Sequence, residues 1–183
     1  MTQCVALLRG INVGRAKRIS MPDLRDLIEA LGFSDVRTLL NSGNVVFQAR
    51  RPNTVKIASA IELSVQAKFG FSAHTVVLTA EELDAIVAGN TLPQAKAEPS
   101  RFLVAFVAYA ATLSKAQPLL SQTWEPDVLA IGNRAAYLWC ASGIIESKLL
   151  LAFTRATEQA TTTRNWTTVL KLQALANDAK RAA

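Results

Sequence analysis

The order of its predicted elements constrains the fold of this 183-residue chain more than any single motif does. Short apolar runs indicate strands, and apolar residues at intervals of three and four indicate helices. An apolar strand at Cys4–Leu8 precedes a helix, a hairpin, a helix over 54–69 and a strand over 73–78. This β-α-β-β-α-β order is the ferredoxin-like pattern, built on an antiparallel sheet.

The same order begins again after a linking segment. Thr79 and Glu82 have the spacing of a capping box, which predicts a helix there, and a connector with two prolines follows. The predicted elements of the second half are a strand at 101–109, a short helix at 114–122, strands at 128–131 and 135–140, a helix at 144–153, a short strand at 161–164 and a final helix from 165. We therefore predict an α+β protein with two ferredoxin-like halves, a linking helix and a C-terminal helix.

The first strand of each half is apolar on both faces, so both faces of each sheet need cover. We expect the two halves to supply that cover by packing together as one globular unit. The predicted boundaries are 1–79 for the first half, 80–99 for the linking helix and connector, and 100–183 for the second half.

The charge favours anionic partners. The formal net charge is +6 and the isoelectric point is about 9.7, values that suit nucleic acid, nucleotides or phosphorylated metabolites. The two cysteines lie in apolar runs, which indicates buried free thiols in a cytosolic protein. The apolar run at 5–8 is too short for a signal peptide or a membrane span, so we expect a cytoplasmic protein without membrane contact.

The most prominent candidate site is the loop between the first strand and the first helix. It contains Arg9, Arg15, Lys17 and Arg18 with no acidic residue among them, and its glycines permit positive φ and close backbone approach. It matches neither the P-loop nor the dinucleotide-binding fingerprint. The loop is interpreted as an anion-binding site, and a flexible loop whose charges are merely solvated remains the alternative.

Two other segments have polar groups suited to a ligand. Asn41, Ser42 and Asn44 lie in the predicted hairpin turn, where turn geometry alone would explain them. Arg164, Asn165 and Trp166 lie at the start of the last helix, where a capped helix with a buried tryptophan is the alternative.

No motif for a cofactor or a metal is found. His74 is the only histidine, and neither a nucleophile elbow nor ligand-spaced cysteines or carboxylates accompany it. The first strand lacks the aromatic residue on which an RNA-recognition motif stacks bases. We therefore expect no cofactor, no metal and no base stacking of that kind.

Three segments resemble the domain of unknown function 1697 family: 7–14 (LLRGINVG), 40–47 (LNSGNVVF) and 162–169 (TTRNWTTV). The resemblance implies a small cytosolic protein with two ferredoxin-like halves, and it implies no reaction. Such proteins often continue after Gly14 with a second glycine and a lysine, where this chain has Arg15 and Ala16. They commonly have asparagine after the tryptophan, where this chain has Thr167.

The best functional interpretation is a binding protein for a small phosphorylated or carboxylated molecule at the 9–18 loop. An enzyme acting on a phosphorylated metabolite and a nucleic-acid-associated protein are the alternatives, although the loop itself contains no general acid or base. No catalytic residue and no oligomeric state are predicted. The predicted ligand-binding residues are Arg9, Gly10, Asn12, Gly14, Arg18, Asn41, Ser42, Asn44, Arg164, Asn165 and Trp166.

Overall fold

A computed structural model describes residues 1–14 and 16–181, the side chains of 179–181 excepted. The elements of the first half are β1 (Thr2–Leu8), α1 (Met21–Ala30), β2 (Ser34–Leu39), β3 (Asn44–Ala49), α2 (Thr54–Phe69) and β4 (Thr75–Thr79). The following elements are α3 (Ala80–Ala88), α4 (Gln94–Ala97), β5 (Phe102–Val107), α5 (Ala111–Ser114), a 3₁₀ helix (Gln117–Ser121), β6 (Val128–Ile131), β7 (Ala135–Trp139), α6 (Lys148–Ala156), β8 (Thr161–Asn165) and α7 (Trp166–Arg181).

The strands form two four-stranded antiparallel sheets. The first has the order β2-β3-β1-β4 and the second has the order β6-β7-β5-β8. Each order places the first and third strands of its half at the centre, as a βαββαβ unit requires. The predicted α+β class with two ferredoxin-like halves is therefore confirmed.

The chain forms two compact units. One comprises Met1–Leu83 together with Leu172–Ala183, and the other comprises Asp84–Lys171. In the first unit, alternate residues of β1 pack against α1 and α2, since successive side chains of a strand point to opposite faces. In the second unit, Leu103 and Ala105 of β5 pack with Leu149 and Phe153 of α6.

Both central strands are buried on both faces, as their sequences predict. In β1, Val5 and Leu7 are as fully buried as their neighbours on the helix-covered face. In β5, every residue from Phe102 to Val107 is buried. Strands of this kind have near-continuous apolar sequences because neither face meets solvent.

Most predicted helix and strand boundaries agree with the structure. The clearest errors are two helices of the second half. The helix predicted over 144–153 begins at Lys148, because the Ser147 hydroxyl accepts the Leu150 N–H at 3.0 Å and caps it there. Ile145 precedes it and is 95% exposed. The helix predicted over 114–122 is α5 followed by a 3₁₀ helix, in which Pro118 has no N–H to donate.

Candidate functional site

Asn12 organises the loop between β1 and α1. Its Nδ2 donates to the main-chain oxygens of Ile19 and Asn41, both at 2.8 Å, and its Oδ1 accepts the Ile19 N–H at 2.9 Å. Its own N–H donates to the Lys17 oxygen at 3.0 Å. Asn12 has a φ of 57°, a conformation that asparagine tolerates better than most residues. One amide therefore fixes both ends of the loop and joins it to the β2–β3 turn.

The β2–β3 turn packs closely against the end of β1 and the loop that follows it. Gly43 accepts the Leu8 N–H at 2.8 Å and has a φ of 78°. A Cβ at this glycine would lie 2.9 Å from the Leu8 Cβ and 3.0 Å from Ile11. The fully buried Asn44 donates to the Leu39 oxygen at 2.8 Å and to the Ser42 hydroxyl at 2.9 Å. These contacts account for the turn residues by packing and hydrogen bonding within the protein.

A cleft of about 580 Å³ opens where loop, turn and α1 meet. Its lining has one cationic side chain, three polar side chains and an apolar part. These residues are Arg18, Asn12, Ser20, Asn41, Ile19, Met21 and Pro22. Clefts of this size accommodate small metabolites.

The N-terminus of α1 is already occupied by the chain itself. The Ser20 hydroxyl accepts the Asp23 N–H at 3.1 Å and donates to the Asp23 carboxylate at 2.6 Å. Pro22, in the first turn, has no N–H. An acidic side chain already interacts with the positive end of the helix, so the side chains of the cleft, rather than free helix N–H groups, are available for a ligand.

A histidine–carboxylate pair lies beside the start of the loop. The Arg9 N–H donates to the His74 oxygen at 2.8 Å, and Lys17 Nζ donates to the Ser72 oxygen at 3.3 Å. His74 Nδ1 lies 3.3 Å from Glu62 Oε1, which also accepts the Thr75 N–H at 2.6 Å. His74 Nε2 is enclosed and makes no hydrogen bond within the described part of the chain. Sequence reasoning missed this pair because its members are 12 residues apart, on α2 and just before β4.

Of the other predicted residues of this loop, Gly10 and Gly14 are exposed. Gly10 and Gly14 have φ values of 70° and 63°, as the sequence predicts for glycines in a tight loop. Arg18 is exposed and Arg9 is half-buried. Arg15, the fourth basic residue of the prediction, lies outside the described residues.

The third predicted segment lies in the second unit. Asn165 Oδ1 accepts the Thr168 N–H at 2.9 Å and caps α7. Trp166 is 7% exposed and packs edge to face on Phe102, with ring centroids 5.5 Å apart. Arg164 donates to the Thr163 oxygen at 2.8 Å, and burial lowers the pKa of its guanidinium to about 10. Helix capping and core packing thus explain Asn165 and Trp166 without a ligand.

A family model described as a protein of unknown function (DUF1697) matches residues 1–137. The chain belongs to the DUF1697 family. The matched residues include the loop and turn that form the cleft, whereas the segment at 162–169 lies beyond them. No curated protein matches the chain.

A solved structure has the same fold as this chain. The conserved bacterial protein SP0830 from Streptococcus pneumoniae aligns with a TM-score of 0.77 and 21% identity, over 96% of this chain and 98% of its own. At that identity the likeness shows the fold alone. No helix among the described residues has the length and apolar character needed to cross a membrane.

Proposed function

We propose that this DUF1697 member binds a small phosphorylated or carboxylated molecule in the cleft between the 9–18 loop and the β2–β3 turn. The observation that carries the proposal is the Asn12 bridge, which holds the cationic loop against the turn. Arg18 and Asn41 then line one cleft although 23 positions separate them in the sequence. Arginine binds phosphate and carboxylate in a planar, two-pronged geometry, and the Asn41 amide offers a second polar contact.

The roles of the candidate residues follow from their placement. Arg18 provides the charge that pairs with the anionic group, and Met21 and Pro22 form an apolar wall for the body of the molecule. Asn12 acts as a positioning residue, since both amide protons are donated within the protein. Arg18 is the first residue to test because it lines the cleft, whereas Arg9, at the end of β1, is not among the lining residues.

The direct test is a thermal-shift screen with orthophosphate, nucleotides, sugar phosphates and dicarboxylates, followed by calorimetric titration of each hit. A ligand that binds the folded state raises its melting temperature by mass action. Arg18→Ala should weaken binding roughly tenfold to a hundredfold, the effect of losing one charge-assisted hydrogen bond. Arg25→Ala, an exposed arginine on α1, is the matched control and should bind normally. Equal affinities of the wild type and a folded Arg18→Ala variant would contradict the proposal.

The same titrations distinguish the two alternative functions. Binding of an oligonucleotide in preference to every small anion, with affinity falling steeply as salt rises, would favour a nucleic-acid-associated protein. Turnover of a phosphorylated hit would favour an enzyme. The candidate acid–base pair would then be His74 and Glu62, because the main-chain oxygen of His74 accepts the N–H of Arg9 at the start of the loop. In that case His74→Gln should abolish turnover and leave binding intact.

A further inference from the structure

A second cationic cleft, of about 690 Å³, lies at the opposite end of the first sheet from the cleft of the 9–18 loop. The residues that line it are Met1, Thr2, Arg50 and Arg51. The register pairs Thr2 with Ala49 at this end, and Leu7 with Asn44 beside the β2–β3 turn at the other. At about 3.4 Å per residue, the two ends of β1 are roughly 17 Å apart, which is longer than most small metabolites. The two clefts are therefore separate candidate sites.

The backbone after β3 brings two consecutive arginines to this one cleft. Successive side chains of an extended strand point to opposite faces, so neighbouring residues do not ordinarily share a site. Arg51 has a φ of 44°, a left-handed conformation that is uncommon for arginine. This conformation ends the alternation of β3, and both Arg50 and Arg51 line the cleft. Backbone conformations of this kind cluster at ligand-binding sites.

Neither arginine is neutralised by the described part of the chain. The side chains of Arg50 and Arg51 are exposed, and neither makes an ion pair or a hydrogen bond with a described residue. The lining contains no carboxylate, and it adds the side chain of the half-buried Thr2. Two unpaired like charges around a concave surface concentrate anions from solution.

The charged groups near this end of the sheet do not offset the two arginines. Asp35 of β2 already accepts a hydrogen bond from Arg37 at 3.1 Å. Glu82 accepts the main-chain N–H of the last β4 residue at 2.9 Å. The first turn of α2, which follows the cleft residues in the chain, has Lys56 and no acidic residue. An anion from solution is therefore the partner that this cleft favours.

We propose that Arg50 and Arg51 bind the phosphate monoester group of a small molecule. At neutral pH such a group has a charge of about −1.5 to −2, which matches two guanidinium groups. One carboxylate would neutralise only half of that positive charge. Each arginine can donate a parallel pair of hydrogen bonds to phosphate oxygens, and the Thr2 hydroxyl of the same cleft is a further donor.

A matched pair of ligands tests the proposed chemical class. Phenyl phosphate is a monoester dianion at pH 7, and benzoate has the same ring with one carboxylate. Each is titrated into the ¹⁵N-labelled full chain at constant ionic strength, with binding followed by amide chemical shifts. We expect phenyl phosphate to shift the Thr2 and Arg51 amides saturably, with a dissociation constant in the millimolar range, and benzoate to bind at least tenfold more weakly. The absence of saturable shifts at both residues, or equal affinities for the two ligands, would overturn the proposal.

Substitutions test the two arginines. Arg50→Gln and Arg51→Gln should each weaken phenyl phosphate binding at this cleft at least tenfold, the effect of losing one charge-assisted hydrogen bond. Arg51→Lys keeps the charge without the planar fork, so its affinity should lie between those of Arg51→Gln and the wild type. Arg25→Gln removes an exposed arginine from α1 and should bind like the wild type. Wild-type affinity in folded Arg50→Gln and Arg51→Gln variants would contradict the proposal, and if they fail to fold, the ligand pair on the wild type still decides.

The same spectra separate this cleft from the cleft of the 9–18 loop. Arg18→Gln should remove any phenyl phosphate shifts of Asn12 and Ser20 and leave those of Thr2 and Arg51 unchanged. Shifts confined to Asn12 and Ser20 in the wild type would overturn the second site and leave the first. Loss of the Thr2 and Arg51 shifts in a folded Arg18→Gln variant would show that the second cleft does not bind on its own, which would also overturn this proposal.

Discussion

Nδ2 of Asn12 donates to the main-chain oxygen of Asn41 at 2.8 Å, joining two loops that are 29 residues apart in the sequence. The same nitrogen donates to Ile19 at the other end of its own loop. A primary amide has two protons, and here each satisfies a different main-chain carbonyl. The shape of the cleft therefore depends on one side chain, which makes Asn12 the most informative position in the candidate site.

Asn12→Asp should open this loop. A carboxylate has no proton for the carbonyls of Ile19 and Asn41, so two acceptors lose their donor and face a negative charge. We expect a loss of about 1–3 kcal/mol in the free energy of unfolding, measured by urea denaturation. Asn133→Asp, the same change in the exposed β6–β7 turn, should leave stability nearly unchanged.

Asn12→Gly separates the effect of the side-chain hydrogen bonds from the effect of backbone strain. Glycine adopts the φ of 57° at this position more easily than asparagine, so it relieves strain while removing all the amide contacts. Any loss of stability or ligand affinity in this variant therefore reports the hydrogen bonds. A variant as stable and as active in binding as the wild type would show that the bridge is dispensable.

Gly43→Ala should destabilise the protein more than Gly10→Ala. Both glycines have positive φ, near 78° and 70°, so an alanine is strained at either place by about 1 kcal/mol. A Cβ at position 43 would also meet Leu8 and Ile11 within 3.0 Å, whereas a Cβ at position 10 would meet nothing within 4 Å. The difference between the two unfolding free energies measures that overlap, and equal losses would contradict the close packing of the turn.

The fold was predictable because its signals are local. The periodicity of β1, the capping box at Thr79 and the glycine after α2 each act within a few residues, and the structure has the Thr79–Glu82 hydrogen bonds at 2.9 and 3.1 Å. The site was less predictable because it depends on long-range contacts. The pairing of Asn12 with Asn41 and of Glu62 with His74 arises from tertiary structure, and no spacing rule along the chain indicates either.

The start of a helix was also hard to predict from the sequence, although it depends on neighbouring residues. The helix predicted over 144–153 begins only at Lys148, because Ser147 caps it there and leaves Ile145 in solvent. In α7, Leu170 is 41% exposed, whereas its neighbour Val169 is fully buried. Apolar residues indicate an element, while a capping hydrogen bond fixes where it starts.

The thiol of Cys4 should be inert in the folded protein. Burial, with a smaller contribution from Glu82, raises the pKa of Cys4 from 9.0 to about 12, and burial also raises the pKa of Cys140. A thiol reagent at pH 8 should therefore modify both cysteines only after unfolding, because the thiolate is the nucleophile. Rapid modification of the native protein at that pH would show that one thiol is accessible.

The same shift predicts a decline in stability at high pH. Below pH 9 Cys4 is protonated in both the folded and unfolded states, so it adds no pH dependence. Between about pH 9 and pH 12 the unfolded thiol ionises first, and the free energy of unfolding falls by up to about 1.4 kcal/mol per pH unit from this group. The free energy of unfolding of Cys4→Ala should fall less steeply over this pH range. Burial also raises the pKa values of Tyr137 and Cys140, but these two groups are present in both proteins and contribute equally to each.

The first unit should depend on the end of α7. Residues 172–183 belong to the same compact unit as 1–83, and Leu172 is fully buried, whereas Leu170 in the same helix is 41% exposed. Leu172→Ala should lower the free energy of unfolding by about 2–5 kcal/mol, and Leu170→Ala should change it by less than about 0.5 kcal/mol.

A fragment of residues 1–90 lacks this part of α7, and it contains Val5 and Leu7, which are fully buried in the full chain. We therefore predict that the fragment does not melt cooperatively when it is followed by circular dichroism. A soluble fragment with a single sharp transition, together with a full-length Leu172→Ala protein of normal stability, would establish that the first βαββαβ half folds on its own.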